Sequence, residues 1–378
     1  MVITGIICEY NPFHLGHAKQ MGIISQKNKD TGIVCLMSGN YVQRGMPAVF
    51  DKSCRAKAAL ECGADLVLEL PVTAALSSAE GFAAEGVRIL GGFCNALSFG
   101  AENPDGLWET AQALLRPEFP EKLKEQLSLG MSFPVARQKA LEKMGLNGSV
   151  LETPNNILAV EYCKAILSLG SQMKPDPILR QGDYHDTLAD DENPSATAVR
   201  NLIENQQEYE KFIPEMAGKC FENAPVHTLS YGEQAILYRL RTMTDAEFEA
   251  LPYGSEGLWR KLMKNARSYS TLEEILTATK SKRYTRTRLD RMVMCAFLGL
   301  TARDLQTPAP YVRVLALNDK GREILLQARK LGEFANIGEK MEHPYQNLET
   351  RCDDLYGLFS PAPESPGITQ SRRIYYKK

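Results

Sequence analysis

The chain has 378 residues, a formal charge of −2, and 44% hydrophobic and 24% charged residues, the balance of a globular protein long enough for two or three domains with their own cores. Nine cysteines stand singly with no C-x-x-C pair, which argues against a disulfide framework and against structural zinc. No basic n-region leads into an apolar run at the start, and no stretch is apolar for long enough to span a bilayer, so the expectation is a cytoplasmic protein without a membrane partner. Val2–Cys8 reads as a first buried strand and residues 18–24 as a helix. Between them runs Glu9-Tyr10-Asn11-Pro12-Phe13-His14-Leu15-Gly16-His17, which holds two of the five histidines. Residues 32–39 form a second strand, Asp51 caps a helix over 52–62, and 65–70 is a third strand closed by Pro71. A helix at Ala79–Leu90 and a strand at 95–100 follow.

Repeated β–α units of this length predict an α/β, Rossmann-like domain, a parallel sheet with helices on both faces. Ligands of such sheets bind beyond the carboxyl ends of the strands. His14, His17, Gly39, Asn40, Glu69 and Gly100 all follow or close a strand, so one crevice could collect them. From 106 to about 169 the pattern is helical, broken at Pro117, Pro120, Pro134 and Pro154. Residues 177–180 read as the last strand of the same sheet, and Asn193-Pro194-Ser195 caps a new helix. After Gln207 the chain is mainly helical to about 300. A strand at 311–317, a turn at 318–321 and a helix then make a small terminal α/β element within 305–360. The Pro-, Ser- and Arg/Lys-rich tail from 360 is expected to be loosely ordered. The expected division is 1–206 for the α/β domain and 207–378 for the helical region.

Neither a Walker A run nor a G-x-G-x-x-G follows the first strand, so P-loop hydrolysis and dinucleotide redox chemistry lose support. His-x-Gly-His at a strand-to-helix turn offers another route to phosphate. Gly16 lets the backbone approach, the helix start presents free N–H groups, and His14 and His17 can donate to an α-phosphate under attack. Ser195-x-Thr197-x-x-Arg200 opening a later helix suits β- and γ-phosphates, with Arg200 neutralising leaving pyrophosphate. Arg44, Lys52 and Arg55 are second-rank candidates for phosphate or a carboxylate substrate, since exposed cations are mostly solvated surface. Asp65 and Glu69 are weak candidates for Mg²⁺, and no residue is assigned to a metal. Tyr184-His185-Asp186 is a candidate substrate-positioning loop. Lys280, Lys282, Arg283, Arg286, Arg288 and Arg291 form a basic run opposed only by Asp290, with Tyr284, Thr285 and Thr287 between them. That mixture offers phosphate contacts and a stacking platform for RNA, against the plainer reading of a solvated helix face.

The His14-x-Gly16-His17 turn resembles the signature of the nucleotidyltransferase superfamily, and Ser195–Arg200 its second signature. The fuller wording is similar to the tRNA(Met) cytidine acetate ligase family. It comprises the Glu9–His14 run, Ser38-Gly39-Asn40-Tyr41-Val42-Gln43-Arg44-Gly45, residues 63–72, Ser98-Phe99-Gly100, Pro154-Asn155-Asn156-Ile157-Leu158, Arg180-x-Gly182-x-Tyr184-His185 and residues 282–288. The resemblance implies ATP as co-substrate, with Mg²⁺ alongside it, in a site made by Ile7, Cys8, Glu9, Tyr10, Asn11, Pro12, Phe13, His14, Leu15, Gly16, His17, Ala18, Lys19 and Gln20. Gly100, Asn155 or Asn156, Arg180, Ser195, Thr197 and Arg200 complete it. It further implies acetate and elongator tRNA(Met) as partners, with Lys282, Arg283, Arg286, Arg288 and Arg291 on the tRNA and no protein partner. The expected reaction makes acetyl-adenylate and passes acetyl to N4 of the wobble cytidine. Two alternatives share the phosphate motifs: an adenylyltransferase joining AMP to a phosphorylated small molecule, and a non-catalytic RNA-binding protein on the same fold.

Overall fold

The computed structural model describes residues 1–28, 30–180 and 194–378. In chain order the strands are β1 Val2–Cys8, β2 Thr31–Ser38, β3 Tyr41–Val42, β4 Met46–Pro47, β5 Leu66–Leu70, β6 Ala96–Ala101, β7 Lys174–Leu179, β8 Val312–Asn318, β9 Phe334–Asn336 and β10 Tyr375–Lys377. One sheet runs β10-β8-β5-β2-β1-β6-β7, with β9 attached to β8. Its pairings are parallel except β5 with β8. β3 and β4 form a separate antiparallel hairpin.

A parallel strand covered on both faces must be apolar at nearly every position, and β2 is buried along its whole length. Its side chains alternate between two cores. Val34 and Leu36 join Phe82, Val87 and Val160, from the helices Ala79–Leu90 and Pro154–Ser168. Ile33, Cys35 and Met37 join Met21, Ile24, Ala56 and Ala59, from the helices Leu15–Lys27 and Lys52–Glu61. A third core forms among the later helices, from Leu229–Thr242 to Arg286–Leu298, and takes in Tyr41 of the hairpin. No helix among the described residues is long and apolar enough to cross a membrane.

Four expectations change in detail. The terminal α/β element is built into the main sheet, where β8 pairs antiparallel with β5. The expected turn at 318–321 is instead a helix start, because Asn318 Oδ1 accepts from the Gly321 N–H at 2.8 Å and caps Asp319–Ala328. The tail supplies β10, held as Tyr375 Oη donates to Glu61 at 2.6 Å and Lys377 pairs with Glu61 at 3.1 Å. Pro120, Pro134 and Pro154 begin helices rather than break them, since the first turn needs no N–H at that position.

Candidate active site

β1 delivers the chain to the His-x-Gly-His turn, and a buried scaffold holds the turn in place. Tyr10 takes the left-handed conformation at φ 45°. Arg55, wholly buried, donates to the carbonyls of Glu9 at 2.6 Å, Phe50 at 2.8 Å and Ser38 at 3.1 Å, and to that of Gly39. Asn11 Oδ1 accepts from the Val49 N–H at 2.7 Å. His14 then caps the helix Leu15–Lys27. The Gly16 N–H donates to His14 Nδ1 at 3.1 Å, and the His14 N–H donates to His17 Nδ1 at 3.2 Å. This reciprocal box satisfies two helix-start donors at once.

The box also fixes the chemistry of both rings. An imidazole whose Nδ1 accepts a hydrogen bond carries its proton on Nε2 when neutral. Both histidines therefore keep an Nε2–H donor, with the rings 3.8 Å apart centre to centre. Burial, reinforced by Arg180 and Arg200, lowers the His14 pKa to about 3. Burial, then His14 and Arg180, holds His17 well below the ordinary imidazole value. Gly16 is needed for close approach, since a Cβ there would stand 2.9 Å from His14 Cε1. With folded pKa values below the unfolded ones, both rings favour the fold above about pH 6.5; the His14 contribution is lost as pH falls toward about 3, and that of His17 as pH falls through its own lowered value. The NMR imidazole shifts of His14 are accordingly expected to stay at the neutral position from pH 8 to 5; a titration centred near 6.5 would contradict the burial argument.

His14, Gly16 and His17 line a cavity of about 1200 Å³. Around it stand Ile7, Cys8, Glu9, Tyr10, Asn11, Lys19, Gln20, Gly100, Asn155, Arg180, Ser195, Thr197 and Arg200. Ser195 caps the helix Ala196–Glu204, its Oγ accepting from the Ala198 N–H at 3.0 Å. Arg200 reaches back from that helix to the first turn, donating to the Asn11 carbonyl at 2.7 Å and to Thr197 Oγ1 at 3.0 Å. Arg180 follows β7 and donates to Asn155 Oδ1 at 3.3 Å. The result is a pocket with two neutral N–H donors, two flanking guanidiniums and a helix start. Such a surface suits a polyanion and the extra charge that builds on phosphorus during substitution.

Comparison with known proteins bears on this geometry directly. Residues 1–370 match the family model described as HIGH Nucleotidyl Transferase. The tRNA(Met) cytidine acetate ligase of Clostridium perfringens is 37% identical, over 96% of each chain. That of Clostridium acetobutylicum is 36% identical over 95% of this chain and 96% of its own. The chain belongs to the tRNA(Met) cytidine acetate ligase family. Crystal structures of Thermotoga maritima TmcAL, 29% identical, match it over the full length of both chains, with TM-scores of 0.91 for the apo form and 0.88 for the form bound with alpha-thio ATP.

Within this ligase-family chain some expected site residues do not reach the cavity. Pro12, Phe13, Leu15 and Ala18 do not line it; Phe13 is fully buried against Tyr10 and Ala18 packs into the core. Asn156 does not line it either, because its Oδ1 accepts from the N–H groups of Glu102 at 3.0 Å and Asn103 at 3.1 Å. Lys52 and Arg55 are scaffold rather than carboxylate receptors. Lys52 Nζ is sealed between Glu69 at 2.8 Å and Asp353 at 2.8 Å, while Arg55 is spent on backbone carbonyls. That pairing holds Glu69 against Lys52, off the cavity lining. Asp65 is likewise occupied, by the Ile33 N–H at 2.8 Å and Asn318 Nδ2 at 2.9 Å. Gly39, Asn40 and Glu69 thus close their strands away from the cavity. Gly182, Tyr184, His185 and Asp186 lie outside the described residues.

The basic run divides in two. Arg283, Arg288 and Arg291 line the same cavity as the histidines, whereas Lys282 and Arg286 do not. Arg286 grips Glu273 with both terminal nitrogens at 2.8 and 2.7 Å and reaches Asp290 at 2.8 Å. Sequence reading passed over two further elements of the wall. One is the β3–β4 hairpin as an element: Arg44 was a candidate and Gln43 lay in a family motif, but neither announced the hairpin that sets both on the cavity wall, with the Gln43 N–H donating to Glu9 at 2.7 Å. The other is Tyr253, between helices of the later region, where no motif marks it.

Proposed function

We propose that this chain is an ATP-dependent ligase that activates acetate and acetylates N4 of the wobble cytidine of elongator tRNA(Met). The observation that carries this reading is the intact His14–His17 turn, with two neutral donors, in a chain related end to end to proteins bearing that name. An acetate oxygen attacks the α-phosphorus of ATP, the bond to the β-phosphate breaks, and acetyl-adenylate and pyrophosphate result. His14 and His17 donate from Nε2 to the α-phosphate oxygens as their charge rises. Arg200, with the helix start at Ser195 and Thr197, holds the departing pyrophosphate. Asn155 and Arg180 bind the nucleotide, beside Gly100. The cytidine amine then attacks the acetyl carbonyl, AMP leaves, and the amine gives up a proton. No side-chain nucleophile is required, because the mixed anhydride is already activated.

Acetate needs a nearby cation, and of Arg44, Lys52 and Arg55 it is Arg44 that lines the cavity. Mg²⁺ enters only as the companion of the triphosphate. Among the described residues no three His, Cys, Asp or Glu side chains converge as a metal site. In the proposed division of labour 1–206 handles ATP and 207–378 tRNA, in the cytoplasm where tRNA is found.

Two measurements separate this reading from its rivals. Acetate-dependent exchange of labelled pyrophosphate into ATP is expected without tRNA, whereas a non-catalytic RNA binder would give none. Mass spectrometry with nicotinamide mononucleotide or phosphopantetheine as acceptors is expected to give no adenylylated product; a robust one would favour the adenylyltransferase. On the tRNA side, replacing Lys282 and Arg283 by Ser is expected to weaken binding and to lower the salt-dependence slope by about 0.7–0.9 per lost phosphate contact. An unchanged slope would reduce these residues to a solvated face.

A further inference from the structure

Tyr253 is outside the basic run, yet it stands on the cavity wall that the run shares with His14 and His17. It holds φ 68°, the left-handed region that a tyrosine rarely adopts. Interactions from three directions maintain this strained backbone. Its hydroxyl donates to the Leu76 carbonyl at 2.7 Å. Its own carbonyl accepts from Arg288 at 2.8 and 3.2 Å. The Arg291 guanidinium lies over its ring, 5.0 Å from the centroid, and donates to the Gln43 carbonyl at 3.2 Å. The neighbouring hairpin is pressed against the same helix: Gly45, at φ 77°, has room for no side chain, since a Cβ would fall 2.3 Å from the Arg291 nitrogen. Strain of this kind persists where the surroundings over-determine it and gathers at working sites.

We infer that the Tyr253–Arg291 pair is the platform on which the acceptor base stacks during acetyl transfer. The inference rests on the ligase reading and adds to it how the acceptor is presented. A base amine cannot reach an acyl carbon deep in a protein while the base remains in its own stack, so enzymes acting on bases draw them out and hold them on aromatic or guanidinium surfaces. The cavity, at about 1200 Å³, exceeds the usual range for a single small ligand, about 300–1,000 Å³. One chamber lined by the histidines and by Tyr253 therefore has space for both adenylate and a pyrimidine. Arg283, on the same wall, is held only by an exposed pair with Glu256 at 2.7 Å and would exchange that partner for a flanking phosphate.

The test uses the full-length protein and three variants, Tyr253→Gly, Tyr253→Phe and Tyr253→Trp. Glycine accepts the left-handed backbone without strain, so Y253G removes the ring while leaving the chain path intact. Two reactions are followed: acetate-dependent pyrophosphate exchange without tRNA, and single-turnover acetyl transfer from preformed acetyl-adenylate to tRNA. Y253G is expected to slow transfer about 5- to 150-fold, the range one base–aromatic stack supplies, with exchange unchanged. Y253F and Y253W, which keep a stacking face, are expected to transfer at close to the wild-type rate. Normal transfer by Y253G overturns the inference. So does an equal loss of exchange and transfer, and so does a Y253F as slow as Y253G, which would make the hydroxyl tether the important part. A wild-type protein that exchanges pyrophosphate but acetylates no cytidine overturns the ligase reading itself, a different result from an unimpaired Y253G beside a fully active wild type.

Discussion

Replacing His14 by asparagine or His17 by alanine is expected to cut acetate-dependent pyrophosphate exchange about 100- to 1,000-fold each, the loss typical of one preorganised donor to a developing oxyanion. The choice of variants matters because His14 has two jobs. Its Nδ1 caps the helix Leu15–Lys27, and its Nε2 is the donor the reaction would use. Asparagine retains the capping acceptor but stops short of the position Nε2 occupies, so the cap worth about 1 kcal/mol is kept while the donor is lost. H17A gives up the bond from the His14 N–H, a local cost. Both proteins should melt close to the wild type and still bind tRNA. The double variant should lose less than the product of the two, since the rings act on one phosphate. Near-normal exchange in both single variants would remove the histidines from the chemistry.

Lys52→Met is expected to destabilise the protein by about 3–5 kcal/mol, measured as a shift in the urea midpoint, because it strands two carboxylates in the interior. Lys52, Glu69 and Asp353 have side chains only 5–10% exposed. Burial pushes the Glu69 carboxyl up to about 7, with Lys52 pulling against it and Asp353 adding to the rise. The same two carboxylates, set against burial, hold the Lys52 ammonium protonated. Adding Glu69→Gln and Asp353→Asn to K52M should recover much of the loss, as no charge is then left without a partner. The cluster links the helix Lys52–Glu61 and β5 to the helix Tyr345–Tyr356. Its loss should therefore loosen the contact between early and late parts of the chain. A destabilisation under about 1 kcal/mol would show that water reaches the cluster, as it does exposed pairs.

Much of this architecture was legible in the residues. Val2–Cys8 and Ala79–Leu90 have the bounds read from sequence, because a doubly covered parallel strand is apolar throughout and Ser78 and Gly91 bracket the helix. The phosphate-facing turn was legible for a similar reason: histidine beside glycine at a strand end is a local signal. What stayed hidden is long-range. Nothing in 312–318 says that its strand will run antiparallel to β5, and nothing in a basic, proline-rich tail says that Tyr375 will find Glu61. Lys52 and Arg55 look in sequence like any surface cations; only burial against Glu69 and the carbonyls of Glu9 and Ser38 makes them scaffold. The basic run likewise reads as one stripe. Helical geometry turns Arg288 and Arg291 toward the cavity and leaves Arg286 on Glu273.

The central claim is that one cavity makes an acetyl-adenylate and spends it on a tRNA base. The most direct test is to incubate the purified protein with ATP, isotopically labelled acetate and unfractionated tRNA, then digest the RNA and analyse its nucleosides. The account predicts label in a single nucleoside, N4-acetylcytidine, confined to the wobble position of elongator tRNA(Met), dependent on ATP and absent with H17A. Pyrophosphate release with no label in any tRNA nucleoside, or label that survives in the H17A reaction, would contradict it.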